Sequence, residues 1–284
     1  MHAKAAGVTP EAVPSAAATE RQRRAWLTDA AGTVHRPAGE RARIVCLVPS
    51  ITELICELGL AAWLVGRTGF CIHPWELVRT IPKVGGTKDL RLERIRALEP
   101  THVILNVDEN RREDAEALAR FVPNLVVTHP LAPLDNLALY RLLGALFGRE
   151  RQAQRLCADF TRAHAELVGV ARERQDVLYL IWRDPWMAVS EQTYIARMLA
   201  LLGWRTQPRE TEERYPQVEL ARYAGRVDRV LLSSEPFHFK ARHIEEVREL
   251  VPGARVTLID GEMTSWYGSR AISGLRYLAR YAGG

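Results

Sequence analysis

The sequence predicts an α/β protein of two lobes, each built on a parallel sheet, joined by one long helix. Three observations carry this expectation. Apolar strand runs alternate with amphipathic helical segments along most of the 284 residues; one helical stretch, 149–174, interrupts the alternation; and the alternation resumes after it. Strands that alternate with helices pair in parallel, because only a crossover segment returns the chain in the same direction. The expected divisions are a flexible tail (1–25), an N-terminal lobe (26–148), the connecting helix (149–174) and a C-terminal lobe (175–284).

The Ala-rich, Pro-broken start precedes WLTDAAGTVHRP (26–37), which reads as a short hairpin with Ala-Gly at its turn. RIVCLV (43–48) is a buried-strand run. The following PSITELICELG is a helix in which Ser50 and Glu53 stand in capping-box relation and Gly59 closes the end. WLVGRT (63–68) is extended, WELVR (75–79) a helical turn after Pro74, and LRLERIRAL (90–98) a helix with Leu92, Ile95 and Leu98 on one face. Strands at 101–107 and 124–129 alternate with helices at 112–122 and 134–148. The stretch 149–174 contains no proline, and Ala153, Leu156, Phe160, Ala163, Leu167 and Ala171 recur at three- and four-residue spacing as one apolar stripe. Strands at 177–182, 228–234 and 255–260 then alternate with helices at 193–203, 242–251 and 269–282.

Composition excludes several classes. Hydrophobic residues make up 47% and charged residues 26%, ordinary for a folded chain. A net charge of +5 is too weak for the basic footprint of a nucleic-acid binder. Four cysteines (Cys46, Cys56, Cys71, Cys157) do not make a disulfide framework at this length. No apolar run reaches the ~18 residues of a membrane span. The start lacks a leucine-rich secretory core, so the chain as written is expected in the cytoplasm, or in the periplasm if the true start lies upstream.

In sheets of this kind ligands sit beyond the carboxyl ends of the strands. The loops there are unusually aromatic: Phe70, Trp75, Trp182, Trp186, Tyr215, Phe237, Phe239, Trp266 and Tyr267 lie in or beside them. Rings in loops either pack on their own lobe or line a shared cleft, and so many together suit a large, flat, mostly apolar ligand. Cys71 and His73 form a C-x-H pair able to touch a metal, with His238 and His243 as distant partners; the other reading is a loop histidine packed beneath Pro74. Asp260, Glu262 and Arg270 are either polar anchors for ligand amides and carboxylates or an ion pair internal to their loop. GGTK (85–88) has the wrong order for a phosphate loop, and Ser50 lacks the glycines of a hydrolase nucleophile and reads as a cap. The acidic pairs Asp108/Glu109 and Glu212/Glu213 read as solvated surface.

Taken in order, RIVCLVPSITELICELG, VGRTGFCIHP, DLRLERIRALEPTHVI and the long helix resemble the helical-backbone metal receptors, the class III periplasmic binding proteins that serve ABC importers of cobalamin and ferric siderophores. The likeness runs over residues 26–284. It implies two Rossmann-like lobes bridged by a rigid helix, with ligand held between them and little closure. It places ligand-flanking aromatics at Phe70, Trp182, Tyr215 and Trp266. It also implies one permease-docking carboxylate per lobe. Glu93 matches the first; the position of the second falls near Ala221, with Glu219 two residues earlier as the nearest acid. A tryptophan that cobalamin binders carry before the first docking helix is Gly86 here. The chain thus resembles a branch of the family without an export signal.

The expected function is a non-catalytic, monomeric binding protein for a metal chelate, a cobalamin-like corrinoid or a ferric siderophore or haem, with no intrinsic cofactor. Phe70, Trp182, Trp186, Tyr215, Trp266, Tyr267 and Arg270 would hold the ligand, Cys71 or His73 would touch its metal, and Glu93 and Glu219 would meet an ABC permease. The alternatives are a cytoplasmic chaperone handing a corrinoid or metal cofactor to an enzyme, or an enzyme acting on such a cofactor. The absence of a convincing nucleophile–base set counts against the last.

Overall fold

Chain order and strand pairing together give two sheets. The computed structural model describes residues 20–40, 42–170 and 173–283. The N-terminal lobe runs α1 (Glu20–Trp26), β1 (Ile44–Cys46), α2 (Pro49–Glu57), β2 (Leu64–Arg67), α3 (Trp75–Val78), α4 (Leu92–Ala97), β3 (His102–Asn106), α5 (Arg112–Leu118), β4 (Asn124–Thr128) and α6 (Asp135–Leu146). Its strands pair in parallel in the order β2-β1-β3-β4. After α7 (Glu150–Val168) the second lobe runs β5 (Gln175–Trp182), β6 (Met187–Ala188), α8 (Tyr194–Ala200), β7 (Trp204–Gln207), β8 (Arg229–Ser233), α9 (Arg242–Leu250), β9 (Arg255–Ile259), α10 (Gly261–Ser265) and α11 (Arg270–Tyr281). Here β5 lies between β7 and β8, both parallel to it, while β6 folds back on it antiparallel. The fold is the α/β, parallel-sheet class that the sequence predicts.

Some details differ from the sequence reading. Strands β6 and β7 are additions: β6 has only two residues, and β7 follows directly on Gly203, the last residue of the expected helix. The stretch expected as a loop after β9 holds α10, whose first turn is capped by the Asp260 carboxylate accepting from the Met263 N–H at 3.3 Å. Of the expected tail, residues 1–19 lie outside the described residues, while residues 20–25 belong to α1. The hairpin after it is a single antiparallel bridge between Thr28 and Val34. Ser50 caps nothing: the cap position of α2 is Val48, with no side-chain bond, and Ser50 lies one residue inside the helix. At the other end Gly59 takes φ +75°, the left-handed conformation that lets the chain leave α2.

The connecting helix α7 buries Ala153, Phe160, Ala163 and Leu167; Ala171, the last of the expected stripe, lies outside the described residues. Phe160 and Leu167 share one core with Leu143 and Leu146 of α6 and Leu275 and Leu278 of α11, so the hydrophobic interior is continuous from lobe to lobe. Gly144 permits this approach, since a Cβ there would come within 2.5 Å of the Ala153 Cβ. Each lobe also keeps a separate outer cluster, around Val45, Val103 and Ile95 in the first and Leu180, Val230 and Val247 in the second.

The N-terminal segment closes the sheet edge at β4. The Ala30 N–H donates to the Val127 carbonyl at 3.0 Å, and the Asp29 carboxylate accepts from the Val127 N–H at 3.0 Å. The same carboxylate meets the His35 ring at 2.9 Å. Its pKa is held below the usual carboxylate range by these bonds, which outweigh its burial.

Candidate functional site

The carboxyl ends of both sheets face one cavity of about 560 Å³. The first lobe contributes Pro49 and Ser50 after β1, Phe70 and Ile72 after β2, and Asp108 and Glu109 after β3. The second contributes Tyr194, Arg214, Tyr215, Glu235, Pro236, Glu262, Trp266 and Tyr267. Phe70 remains 63% exposed and Tyr215 41%, a large apolar area left facing solvent. Gly86 lies against Phe70: a Cβ there would come to 3.4 Å from the ring.

Asparagine turns build the loop after β3. The Asp108 N–H donates to Asn106 Oδ1 and the Asn106 N–H to Asn110 Oδ1, each at 2.8 Å, while Asn110 Nδ2 donates to the Thr87 carbonyl at 3.0 Å. This holds Asp108 and Glu109 against the cavity. Asp108 pairs with the Arg214 guanidinium of the other lobe. Glu109 accepts a hydrogen bond from the Tyr267 hydroxyl, again across the lobes. Burial pushes the Glu109 carboxyl up to about 7, with the Tyr267 bond working against it, so it exchanges its proton near neutral pH.

Trp266 is fixed on three sides. Its Nε1 donates to Glu235 at 2.9 Å, the Arg270 guanidinium lies 4.8 Å from its ring centroid, and the His73 ring meets it edge-on at 5.6 Å. Glu235 also accepts from Ser265 at 2.7 Å; burial raises its pKa, and that bond opposes the rise. Tyr267 is almost wholly buried with its ring edge-on to Tyr194 at 5.9 Å, and burial pushes its hydroxyl well above the usual phenol range.

Of the residues expected to hold ligand, the structure brings Phe70, Tyr215, Trp266 and Tyr267 to the cavity wall, and leaves the others off it. Trp182 stands at the end of β5, 40% exposed, edge-on to Phe237 at 5.8 Å. Trp186 stacks on Phe239 at 6.1 Å under the Arg183 guanidinium and belongs to the packing of its own lobe. Arg270 makes the ion pair with Glu262 that is one of its two expected readings, and extends it to Glu53 of the other lobe, so its guanidinium is already occupied.

Cys71 and His73 do not converge either. Cys71 is fully buried with its sulfur 3.1 Å from the Thr68 hydroxyl, and burial raises its thiol pKa. His73 turns to Glu262 at 3.3 Å. His243 packs among Phe237 and Phe239, and among the described residues no three His, Cys, Asp or Glu side chains gather as a metal site. Glu93 and Glu219 are exposed, one on each lobe, each paired with an arginine three residues on.

Asp108, Glu109, Arg214 and Glu235 also line the cavity, though the sequence does not single them out as candidates. Asp108 and Glu109 read as surface, yet their position directly after a buried strand, flanked by turn-forming asparagines, is the signal that points inward.

Residues 44–218 match the family described as periplasmic binding protein. A vitamin B12-binding protein of Vibrio campbellii is 25% identical over 201 residues, 69% of this chain and 72% of that protein. The crystal structure of the periplasmic vitamin B12 binding protein of Vibrio cholerae superposes with a TM-score of 0.75 at 15% identity, covering 85% of this chain and 96% of that one. The periplasmic haem binding protein of Vibrio cholerae gives 0.73 at 19% identity, covering 85% and 99%.

Proposed function

Because the chain belongs to the periplasmic binding protein family, whose members bind substrates rather than transform them, we propose that it is a non-catalytic receptor for a metal chelate and that this chelate is a corrinoid of the cobalamin type. The observation that carries the reading is the aromatic cavity between the lobes, with Phe70 on one side and Tyr215 and Trp266 on the other. Such faces desolvate a broad, flat macrocycle, and fixed polar groups between them orient its edge. The ligand brings its own metal; no side chain of the protein is needed to hold it.

The family's ABC importers suggest the partner and the compartment. Glu93 and Glu219, exposed and one to a lobe, are suited to meet basic side chains of a membrane permease, and family membership supports a periplasmic location.

Thermal unfolding with cobalamin, cobinamide, haem or a ferric siderophore tests the reading. A corrinoid at 100 times its dissociation constant should stabilise the protein by about 2.7 kcal/mol. Stabilisation by haem or siderophore alone would replace the corrinoid, and stabilisation by none would remove the chelate.

A further inference from the structure

Four carboxyl groups and one guanidinium line the cavity: Asp108, Glu109, Glu235 and Glu262 against Arg214. Arg214 is neutralised by Asp108, and Glu262 by Arg270. Glu109 and Glu235 remain. Glu109 accepts from a phenol, and Glu235 from a hydroxyl and an indole N–H; neither has a cationic partner within ion-pair distance among the described residues. They come from opposite lobes and disfavour each other's charge. Above pH 7, once Glu109 has released its proton, the cavity therefore offers hydrogen-bond acceptors and negative charge, with no uncommitted cation on its wall among the described residues.

Resting on the corrinoid reading of the cleft, we propose that Glu109 and Glu235 determine specificity, admitting a macrocycle rimmed with amide N–H groups and turning away one rimmed with carboxylates. An amide N–H can donate to either glutamate without bringing charge of its own. A ligand carboxylate would meet two acceptors and no free donor cation, and like charges in a partly desolvated site oppose binding strongly. The effect is local. The chain's net charge of +5 would otherwise favour an anionic ligand at long range.

The test compares two ligands sharing the corrin ring: cobinamide, with amide side chains, and heptacarboxylic cobyrinic acid, with acids in their place. Titration calorimetry at about pH 8 and low salt, where Glu109 is ionised, should show cobinamide binding about a hundredfold tighter. Added salt should narrow that ratio, as should E109Q combined with E235Q. Should the variant fail to fold, the wild-type ratio and its salt dependence still decide the matter. Equal affinities, or a ratio unmoved by salt and by the variant, would overturn the proposal while leaving the corrinoid reading in place. Failure of both corrins to bind would overturn the corrinoid reading, and this proposal with it.

Discussion

Arg270 grips both oxygens of Glu53, its Nε and Nη2 each donating at 2.8 Å, and so ties the start of α11 to α2 in the other lobe. Its remaining amino group reaches Glu262 at 2.9 Å. Both side chains of the Arg270–Glu53 pair are largely buried, where removing one partner leaves the other charge uncompensated. Arg270→Met should lower the unfolding free energy by about 3 kcal/mol in a urea titration. Adding Glu53→Gln should recover part of that loss, because the stranded carboxylate goes too. Additive losses would show that the pair contributes nothing as a pair.

Glu109 gives stability a pH dependence whose sign follows from its burial. The folded protein holds this proton up to about pH 7, whereas the unfolded chain releases it near the ordinary glutamate value of 4.5. The contribution is fully present below the unfolded value and fades as pH rises through about 7. Glu109→Gln, neutral throughout, should therefore be more stable than wild type at pH 8, by about 1–2 kcal/mol after allowance for solvent screening, with the difference shrinking towards pH 5. Melting curves across that range check it; a gap that widens on acidification refutes it.

Two tryptophans of the second lobe, Trp266 and Trp186, should separate binding from stability. Trp266→Ala removes a ring fixed on the cavity wall and should weaken ligand binding by about 2 kcal/mol, roughly thirtyfold. Trp186→Ala strips the face from Phe239 and should cost about 2 kcal/mol of stability, with affinity nearly unchanged. Titration of each variant alongside its denaturation curve distinguishes the two; an affinity loss in Trp186→Ala would extend the site to that ring.

Cys46 and Cys71 are fully buried, with thiols pushed up by burial. They should be silent to a thiol reagent in the folded protein and react on unfolding. Cys71→Ser should leave chelate affinity unaltered, since nothing brings Cys71 and His73 to one metal. A large affinity loss with native stability would restore the sulfur to the site.

The architecture is legible in the sequence because strand and helix periods alternate cleanly on both sides of α7, and the family resemblance added its ligand-flanking positions. Phe70, Tyr215 and Trp266 could be picked out as aromatics in loops that follow strands. What local pattern does not encode is which way a loop side chain turns. Trp182 and Trp186 carry the same signal as Trp266, yet they turn to Phe237 and Phe239. Arg270 looks like an anchor until the distant Glu53 is placed beside it. Glu109 reads as a surface acid, and Glu235 carries no signal at all, because the partners that bury them, Tyr267 and the Ser265–Trp266 pair, lie 158 and about 30 residues away along the chain. The strand β7 is not legible because its four residues are too few to show a period.

The clip of Asp29 and Ala30 onto Val127 bears on how the molecule behaves in crowded solution. An uncovered border strand invites a neighbour to zip alongside it, which is how folded chains begin to stick together. Here Asp29 and Ala30 already occupy that place, so a chain cut after Ala30 should self-associate more than the full chain, which light scattering would register.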